Sequence, residues 1–371
     1  MSSNQNNNPK KRNQQILKKT NQLIKNIKKK AEEEYISKIS KPLSKITLQK
    51  SIPKILNSKQ QKLIKINPYV DESKIFLEGA SELELYNSIS ESITPLLSKN
   101  KDFKIGIALS AGGAKGIAHL GVLRVLEKSN IPISVIAGSS MGSVVGGLYA
   151  LNPDSSKLAK IVESLNKDVI KNLTKIRVSK ESIFETQTMK NLLEEIYSGQ
   201  SFEDAKIPFY SIAYNIDDLN EKTFSIGKLA TAIQASSSIP GVFSPVFLEG
   251  KHYVDGGISN PLPLSVIKDK CDFLIAVKIP YNFENDLKLK PKIIDILARS
   301  ISTMENELSN LSIKTYQPDF LIDLAQLNNY SSFEFDKAKK IVSIGTIATR
   351  EIIKELALAI KAKIKNYNKK P

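Results

Sequence analysis

The sequence predicts an α/β fold, a three-layer α/β/α sandwich with a mainly parallel central sheet. From residue 104 onward, short apolar segments alternate with helix-patterned segments. Such alternation is typical of β-α-β units whose sheet is covered by helices on both faces. Nine of the 17 glycines lie in residues 104–150. This concentration indicates that backbone geometry is specified there, at two sharp corners between a strand and a helix.

The predicted elements follow one another in that alternating order. An apolar strand at 105–109 ends in a glycine turn, and a second strand at 133–137 ends at Gly138. Further strands are predicted at 209–216, 252–254, 273–279 and 320–324. Helices are predicted at 154–172, 187–198, 227–237, 263–270, 290–314 and 335–366.

Charge separates an N-terminal extension from the rest of the chain. The 371 residues carry a net charge of +16, but residues 1–70 hold 17 basic and 3 acidic residues, against 37 and 35 in residues 71–371. Apolar residues recur every three or four positions in 14–39, which predicts an amphipathic helix with a lysine-rich face. We expect residues 1–70 to be a basic, partly disordered and helical extension, 71–100 a connecting helix, and 101–371 the α/β domain.

The basic extension has three candidate roles. Each lysine near an anionic lipid surface adds about 1 kcal/mol, so peripheral contact with an anionic membrane through residues 1–70 is one expectation. A solvated or partner-binding arm stays open as well, because the apolar face has one aromatic residue, Tyr35. Nucleic acid is the least favoured partner, since the chain shows no recognisable DNA-binding motif.

Cysteine usage and hydropathy bear on the compartment. The single cysteine, Cys271, excludes an intrachain disulfide, which fits a reducing compartment. No segment approaches the roughly 18 apolar residues of a membrane-spanning helix, and the N-terminus lacks the apolar region of a signal peptide. We therefore expect a cytoplasmic protein, lying peripherally on the inner face of the membrane if the extension binds lipid.

The second glycine corner has the form Gly-x-Ser-x-Gly, from Gly138 to Gly142. Between a strand and a helix this pattern is typical of a nucleophile elbow, a turn so tight that small residues must flank the serine. The N-terminus of the following helix favours negative charge that develops beside it. We therefore predict Ser140 as a nucleophile in a turn shaped by Gly138, Met141 and Gly142; a chance Gly-Ser turn is the alternative.

The first glycine corner, residues 111–116, admits three interpretations. A P-loop would need four residues between its first glycine and Gly-Lys-Ser/Thr, and that spacing is absent. A dinucleotide fingerprint would need a glycine where Ala111 stands and an acidic residue after the second strand. The third interpretation is an oxyanion hole made of backbone N–H groups, which the adjacent serine corner favours. We expect neither a cofactor nor a metal.

The general base is predicted to be a carboxylate. A triad of the α/β-hydrolase type needs a histidine late in the chain, and this chain has only His119 and His252. We expect His119 to be structural, and His252 lies three residues before Asp255, so that their side chains point to opposite faces of a strand. Asp255, which begins an Asp-Gly-Gly turn after that strand, is the candidate base; an ordinary turn aspartate is the alternative.

Four segments in this order resemble the patatin-like phospholipase family, specifically its compact bacterial members. They are SAGGAKGIAHLGVLRVLE at 110–127, AGSSMGSVVGGLYA at 137–150, AIQASSSIPGVFSPV at 232–246 and YVDGGISNPLP at 253–263. Weaker support comes from FDKAKKIVSIGTIATREI at 335–352, and the resemblance spans roughly residues 104–355. It implies a patatin-like sandwich that hydrolyses acyl esters with a Ser–Asp dyad.

The resemblance also assigns site residues. It implies that Ser140 is the nucleophile and Asp255 its base. The loop formed by Gly112, Gly113 and Ala114 would be the oxyanion hole. The remaining matched positions are Lys115, which occupies the family's basic position beside that loop, and Gly116, Gly256 and Gly257. Many members have three glycines where this chain has Ala111-Gly112-Gly113, so modest tuning is expected at position 111.

The expected substrate is a phospholipid or another acyl ester, cleaved as by a phospholipase A or a lysophospholipase. A partly dry site is needed, because an aspartate at its usual pKa of about 3.9 is a weak base. Val242, Phe243 and Val246 are expected either to line an acyl groove or to pack in the core. The alternatives are a non-catalytic regulatory or scaffold protein with this fold, and a hydrolase of acyl-thioesters or small esters.

Overall fold

The computed structural model describes residues 80–164, 186–281 and 293–368, which form a sheet of eight strands with flanking helices. The strands are β1 Ile105–Leu109, β2 Val135–Ser139, β3 Phe209–Asn215, β4 Asn220–Phe224, β5 Val246–Leu248, β6 Lys251–Asp255, β7 Phe273–Lys278 and β8 Phe320–Asp323. The α-helices are α1 Ala80–Lys99, α2 His119–Lys128, α3 Met141–Leu151, α4 Ser155–Ser164, α5 Thr186–Tyr197, α6 Leu229–Ser236, α7 Leu264–Ile267, α8 Ile293–Tyr316 and α9 Ala338–Tyr367.

Five parallel strands form the centre of the sheet, in the order β3-β2-β1-β7-β8. The strands β4 and β6 pair antiparallel with β3, and β5 pairs antiparallel with β6. The predicted mainly parallel sheet is thereby confirmed. The antiparallel edge was only partly predicted, because β4 and β5 were missed. Four of the five residues of β4 are polar (NEKTF), so no apolar run marked this strand.

The register on β3 brings the ends of two distant strands together. Because β4 pairs with residues 211–215 of β3, both β2 and β6 must lie along the opposite edge of that strand. On this edge β2 pairs up to Ser139, opposite Ile212, and β6 takes over with Asp255, opposite Ala213. The end of β2 and the end of β6 are therefore neighbours at the carboxyl edge of the parallel sheet.

The two faces of the sheet are covered by different helices. On β1, Ile105, Ile107 and Leu109 face the larger core, which α1, α2, α3, α5, α6 and α9 cover, whereas Ala108 faces the smaller core. The smaller core packs against α7 and the C-terminal part of α8. This alternation of period two is the expected behaviour of strands between two helical layers, and the predicted three-layer sandwich is confirmed.

Element boundaries differ from the prediction in one functionally relevant place. The strand β2 begins at Val135 and continues through Ser139, two residues beyond the predicted end, so that the turn starts directly from the strand. The predicted connecting helix is described from Ala80 onward as α1, and the predicted helix at 154–172 is described up to Ser164. The expectations for residues 1–70 lie outside the described residues. No helix in the described ranges has the length and apolar character required to cross a bilayer.

Candidate active site

Ser140 lies in a sharp corner between β2 and α3, at residues 138–142. Its backbone has φ 52° and ψ −123°, a conformation that costs a non-glycine residue on the order of 1–3 kcal/mol. A Cβ atom on Gly142 would collide with the carbonyl oxygen of Leu109, and a Cβ atom on Gly138 would collide with the carbonyl oxygen of Gly142. The two glycines are therefore required for space, and they hold Ser140 in its strained conformation.

The side chains of Ser140 and Asp255 are hydrogen-bonded. Ser140 Oγ donates to Asp255 Oδ2 at 2.7 Å, and the N–H of Gly257 donates to Oδ1 at 2.7 Å. Both residues are almost fully buried, Ser140 at 5% and Asp255 at 2% exposure. This burial raises the pKa of Asp255 to about 7, although both hydrogen bonds act in the opposite direction. The carboxyl can therefore exchange a proton with the hydroxyl near neutral pH.

A network of hydrogen-bonded serines holds the backbone of the Ser140 corner. The N–H of Ser140 donates to Ser236 Oγ at 2.9 Å. Ser143 Oγ donates to the carbonyl of Gly138 at 2.7 Å and lies 2.9 Å from Ser236 Oγ, so Ser236 must be the donor to Ser143. Ser211 Oγ also donates to Ser143 Oγ, at 3.0 Å. The network links β3, α3 and α6 behind Ser140, and no spacing of serines in the sequence predicts it.

The glycine loop, residues 111–116, ends β1 beside the Ser140 corner. Two of its N–H groups are bonded within the protein, that of Ala111 to the carbonyl of Pro261 and that of Ala114 to the carbonyl of Ser332, both at 2.8 Å. Ala114 was predicted as an oxyanion donor, but its N–H already has this partner. Gly112 and Gly113 line the cavity at Ser140, so these two residues remain candidates for the oxyanion hole.

The loop is fixed to its surroundings by Lys115 and Gly116. Lys115 is 1% exposed, and its Nζ donates to the carbonyl of Pro280 at 2.5 Å. Burial lowers the pKa of Lys115 to about 8, opposed by the charge of Glu305. A Cβ atom on Gly116 would lie 2.7 Å from Cβ of Met141, so glycine is needed where the loop packs on the Ser140 corner. These matched positions therefore hold the two corners together.

The glycines after Asp255 are equally constrained. A Cβ atom on Gly256 would collide with the carbonyl oxygen of Ile212 and lie 2.8 Å from Ser139 Oγ. A Cβ atom on Gly257 would collide with Oε1 of Glu305. The Asp-Gly-Gly turn thus packs directly against β3 and against α8, which fixes the direction of the Asp255 carboxyl.

Neither of the two histidines, both of which the structure describes, is hydrogen-bonded to Ser140 or Asp255. His119 is buried, with Nε2 2.8 Å from the carbonyl oxygen of Ser110, and burial lowers its pKa to about 4. His252 is exposed, with Nδ1 3.1 Å from Oδ2 of Asp217. The predicted exclusion of both histidines from the site agrees with this geometry.

Two cavities meet at Ser140. The larger, of about 150 Å³, extends between α3, α4 and α5, and its walls are mostly apolar side chains, among them Met141, Val144, Leu148, Met189, Leu193 and Phe243. The smaller, of about 50 Å³, is lined by Gly112, Asp255 and Glu305 among others. Ser140 and Gly113 belong to both walls. An apolar chain fits the larger cavity, whereas the smaller one contains the titratable groups.

The predicted acyl-groove residues separate into different environments. Phe243 lines the larger cavity and Val242 the smaller one, but Val246 packs in the core as part of β5. Glu305 and residues 331–333, which line the smaller cavity, were not predicted, because their segments contain no recognisable motif.

Known proteins are similar to this chain over the segment that contains the candidate site. Residues 107–267 match the family model described as patatin-like phospholipase. An uncharacterized NTE family protein of Mycobacterium tuberculosis is 34% identical over 177 residues, which cover 47% of this chain and 49% of that protein. Lysophospholipase NTE1 of Saccharomyces cerevisiae is 30% identical over 235 residues, which cover 59% of this chain and 14% of that protein.

Solved structures are matched at lower similarity. Human GIVD cytosolic phospholipase A2 has 12% sequence identity and a TM-score of 0.39, with 77% of this chain and 65% of that chain covered. This chain spans about half the length of its mycobacterial relative. The matched family segment includes Ser140, Asp255 and the glycine loop. The chain therefore contains a patatin-like phospholipase domain, at residues 107–267.

Proposed function

We propose that this chain is a serine acyl hydrolase that cleaves lipid acyl esters, in the manner of a phospholipase A or a lysophospholipase. The observation that carries the proposal is the 2.7 Å hydrogen bond from Ser140 Oγ to Asp255 Oδ2, with Ser140 in the wall of a largely apolar cavity. The patatin-like domain supports a lipid ester as the substrate class, and the name of the yeast relative supports a lysophospholipid.

In the first step, Ser140 Oγ attacks the ester carbonyl while Asp255 accepts the hydroxyl proton. The raised pKa of Asp255, about 7, makes its carboxylate a stronger base than an ordinary aspartate. The negative charge on the carbonyl oxygen is stabilised by the N–H groups of Gly112 and Gly113, with support from the N-terminus of α3. Protonated Asp255 then returns the proton to the leaving alcohol, which gives an acyl-serine.

In the second step, water hydrolyses the acyl-serine. Asp255 takes a proton from the water, whose oxygen attacks the acyl carbonyl, and Ser140 leaves with a proton returned by Asp255. The acyl chain occupies the larger cavity throughout, and its apolar surface excludes water from Asp255, which sustains the raised pKa.

The test compares purified wild type with Ser140→Ala and Asp255→Asn on p-nitrophenyl esters of increasing chain length and on a lysophospholipid. Each change is expected to lower kcat by about 10⁴- to 10⁶-fold, as for members of other catalytic constellations. The matched control is His252→Ala, which removes an exposed histidine on the same strand as Asp255 and is expected to retain activity.

Several outcomes would contradict the proposal. Activity that survives Ser140→Ala would exclude Ser140 as the nucleophile. If the folded wild type hydrolyses no ester, the regulatory or scaffold alternative is favoured. A preference for acyl-thioesters over oxygen esters of the same chain would instead assign the chain to the thioesterase alternative.

A further inference from the structure

The smaller cavity contains a carboxyl group that the proposed mechanism does not use. Glu305 projects from α8 into the wall of this cavity, which it shares with Ser140 and Asp255. Its side chain is partly buried, and none of the hydrogen bonds between described residues involves its carboxyl group. A polar group held in such a place without a partner is costly, and a ligand that supplies the hydrogen bond relieves that cost.

The surroundings of Glu305 define what that ligand can be. Glu305 Oε1 lies against Gly257, and a Cβ atom placed on Gly257 would be 3.0 Å from Asp255 Oδ1, so the two carboxyls converge beside this glycine. The cation that acts on Glu305 is Lys115, which is buried and donates to the carbonyl of Pro280. An anionic ligand group would therefore face the charge of the Asp255 carboxylate, which disfavours its binding.

Protonation favours an uncharged ligand as well. Burial raises the pKa of Glu305 well above its usual value; the charge of Asp255 adds to this rise, and that of Lys115 opposes it. A protonated carboxyl has one O–H donor and retains acceptor capacity. A hydroxyl group, which also donates and accepts, is complementary to it.

The two cavities can hold the two sides of an ester separately. With the scissile carbonyl at Ser140, the acyl chain enters the apolar cavity, and the alcohol side then lies in the smaller cavity beside Glu305. We propose that Glu305 binds a hydroxyl group of the leaving alcohol, so that the site prefers esters of an uncharged, hydroxylated alcohol such as the glycerol of a monoacylglycerol. This inference rests on the proposed function and narrows it: among lipid acyl esters, it favours an uncharged alcohol over the phosphate-bearing alcohol of a lysophospholipid.

The test uses three substrates with one acyl chain: 1-decanoylglycerol, propyl decanoate, which lacks the two hydroxyls, and 1-decanoyl lysophosphatidate, which adds a phosphate. Wild type is expected to show the highest kcat/KM with 1-decanoylglycerol. Glu305→Ala is expected to lower that value roughly 10- to 100-fold, the contribution of a strong hydrogen bond, and to lower the value for propyl decanoate far less. Glu305→Gln keeps a donor and an acceptor and is expected to restore most of the loss.

The matched control is Glu307→Ala, which removes an exposed carboxyl from the same helix; it is expected to leave the ratio of the two kcat/KM values as in wild type. Equal losses on 1-decanoylglycerol and propyl decanoate in Glu305→Ala would overturn the inference alone, because a residue that only supports Asp255 affects both esters. A higher kcat/KM of wild type for the lysophosphatidate than for 1-decanoylglycerol would also overturn the inference alone. If wild type hydrolyses no ester, the proposed function fails first, and the Ser140→Ala comparison identifies that case.

Discussion

The two corners at the carboxyl edge of the sheet are held in place in different ways. The Ser140 corner is fixed by close backbone contacts among neighbouring elements: Gly138 packs on the carbonyl of Gly142, and Gly142 packs on the carbonyl of Leu109 in the adjacent strand. All of these contacts are made by backbone atoms, which cannot move aside as the end of a flexible side chain can. The corner is therefore rigid, because the backbone leaves no room for a Cβ atom at Gly138 or Gly142.

The glycine loop is fixed by partners far along the chain. The carbonyls of Pro261, Pro280 and Ser332 accept hydrogen bonds from Ala111, Lys115 and Ala114 of the loop. Each of these bonds can be removed singly, and the remaining ones still hold part of the loop. The position of Ser140 therefore depends on excluded volume, whereas the position of the loop depends on separable hydrogen bonds in addition to the close contacts of its own glycines.

The substitution Gly142→Ala is expected to have the largest effect and tests whether excluded volume fixes the Ser140 corner. The added methyl group meets the carbonyl of Leu109, and we expect a loss of about 1–3 kcal/mol or more in the free energy of unfolding. Displacement of Ser140 is expected to lower kcat/KM at least about 100-fold. Urea unfolding and hydrolysis of p-nitrophenyl esters measure the two effects.

Gly146→Ala is the matched control, because it lies one turn later in α3 and its nearest neighbours are side chains, at 3.1 to 3.2 Å. If Gly142→Ala and Gly146→Ala were equally tolerated, the Ser140 corner would not be limited by backbone contacts.

The loop is tested by Lys115→Met, which keeps a long side chain of similar volume but removes the hydrogen bond to Pro280. We expect kcat/KM to fall about tenfold, the contribution of one charged hydrogen bond to the position of the donors. The free energy of unfolding should not fall in parallel, since methionine is buried without the cost of desolvating an ammonium group.

Lys228→Met serves as its control, because Lys228 also donates to a backbone carbonyl, that of Gly199, but at an exposed site. A loss of activity in Lys228→Met as large as in Lys115→Met would show that the effect is not specific to the loop.

The same contrast explains which parts of the site the sequence could predict. The Ser140 corner is encoded within five consecutive residues between a strand and a helix, so a local pattern was enough to predict a sharp turn there. The bond of Ala114 to Ser332 joins residues that no sequence spacing relates, so Ala114 was included among the oxyanion donors. The pairing of Ser140 with Asp255, 115 positions apart, follows from the register on β3. Elimination of the two histidines made Asp255 the candidate base, and the resemblance to a family supported that choice.

The pH dependence of wild-type activity tests the proposed base, Asp255. Asp255 must be ionised to accept the proton of Ser140, and its pKa is raised to about 7. For p-nitrophenyl ester hydrolysis we expect kcat/KM to rise about tenfold per pH unit below pH 7, to be half-maximal near pH 7, and to level off above it. Because the Lys115 pKa of about 8 borders this range, the profile should also be measured in Lys115→Met. A plateau already reached near pH 5 would mean that the base ionises as an ordinary aspartate.

The raised pKa of Asp255 also has a cost in stability, with a sign that can be tested separately. Between about pH 4 and pH 7 the unfolded chain has released the proton of Asp255 while the folded protein retains it, so stability falls as the pH rises through this window. Asp255→Asn removes the titration, and its free energy of unfolding relative to wild type should therefore increase from pH 4 to pH 7 and stay constant above. A stability difference that does not change with pH would show that Asp255 ionises alike in both states. Burial would then not raise the pKa of Asp255, and its carboxylate would be no stronger a base than that of an ordinary aspartate.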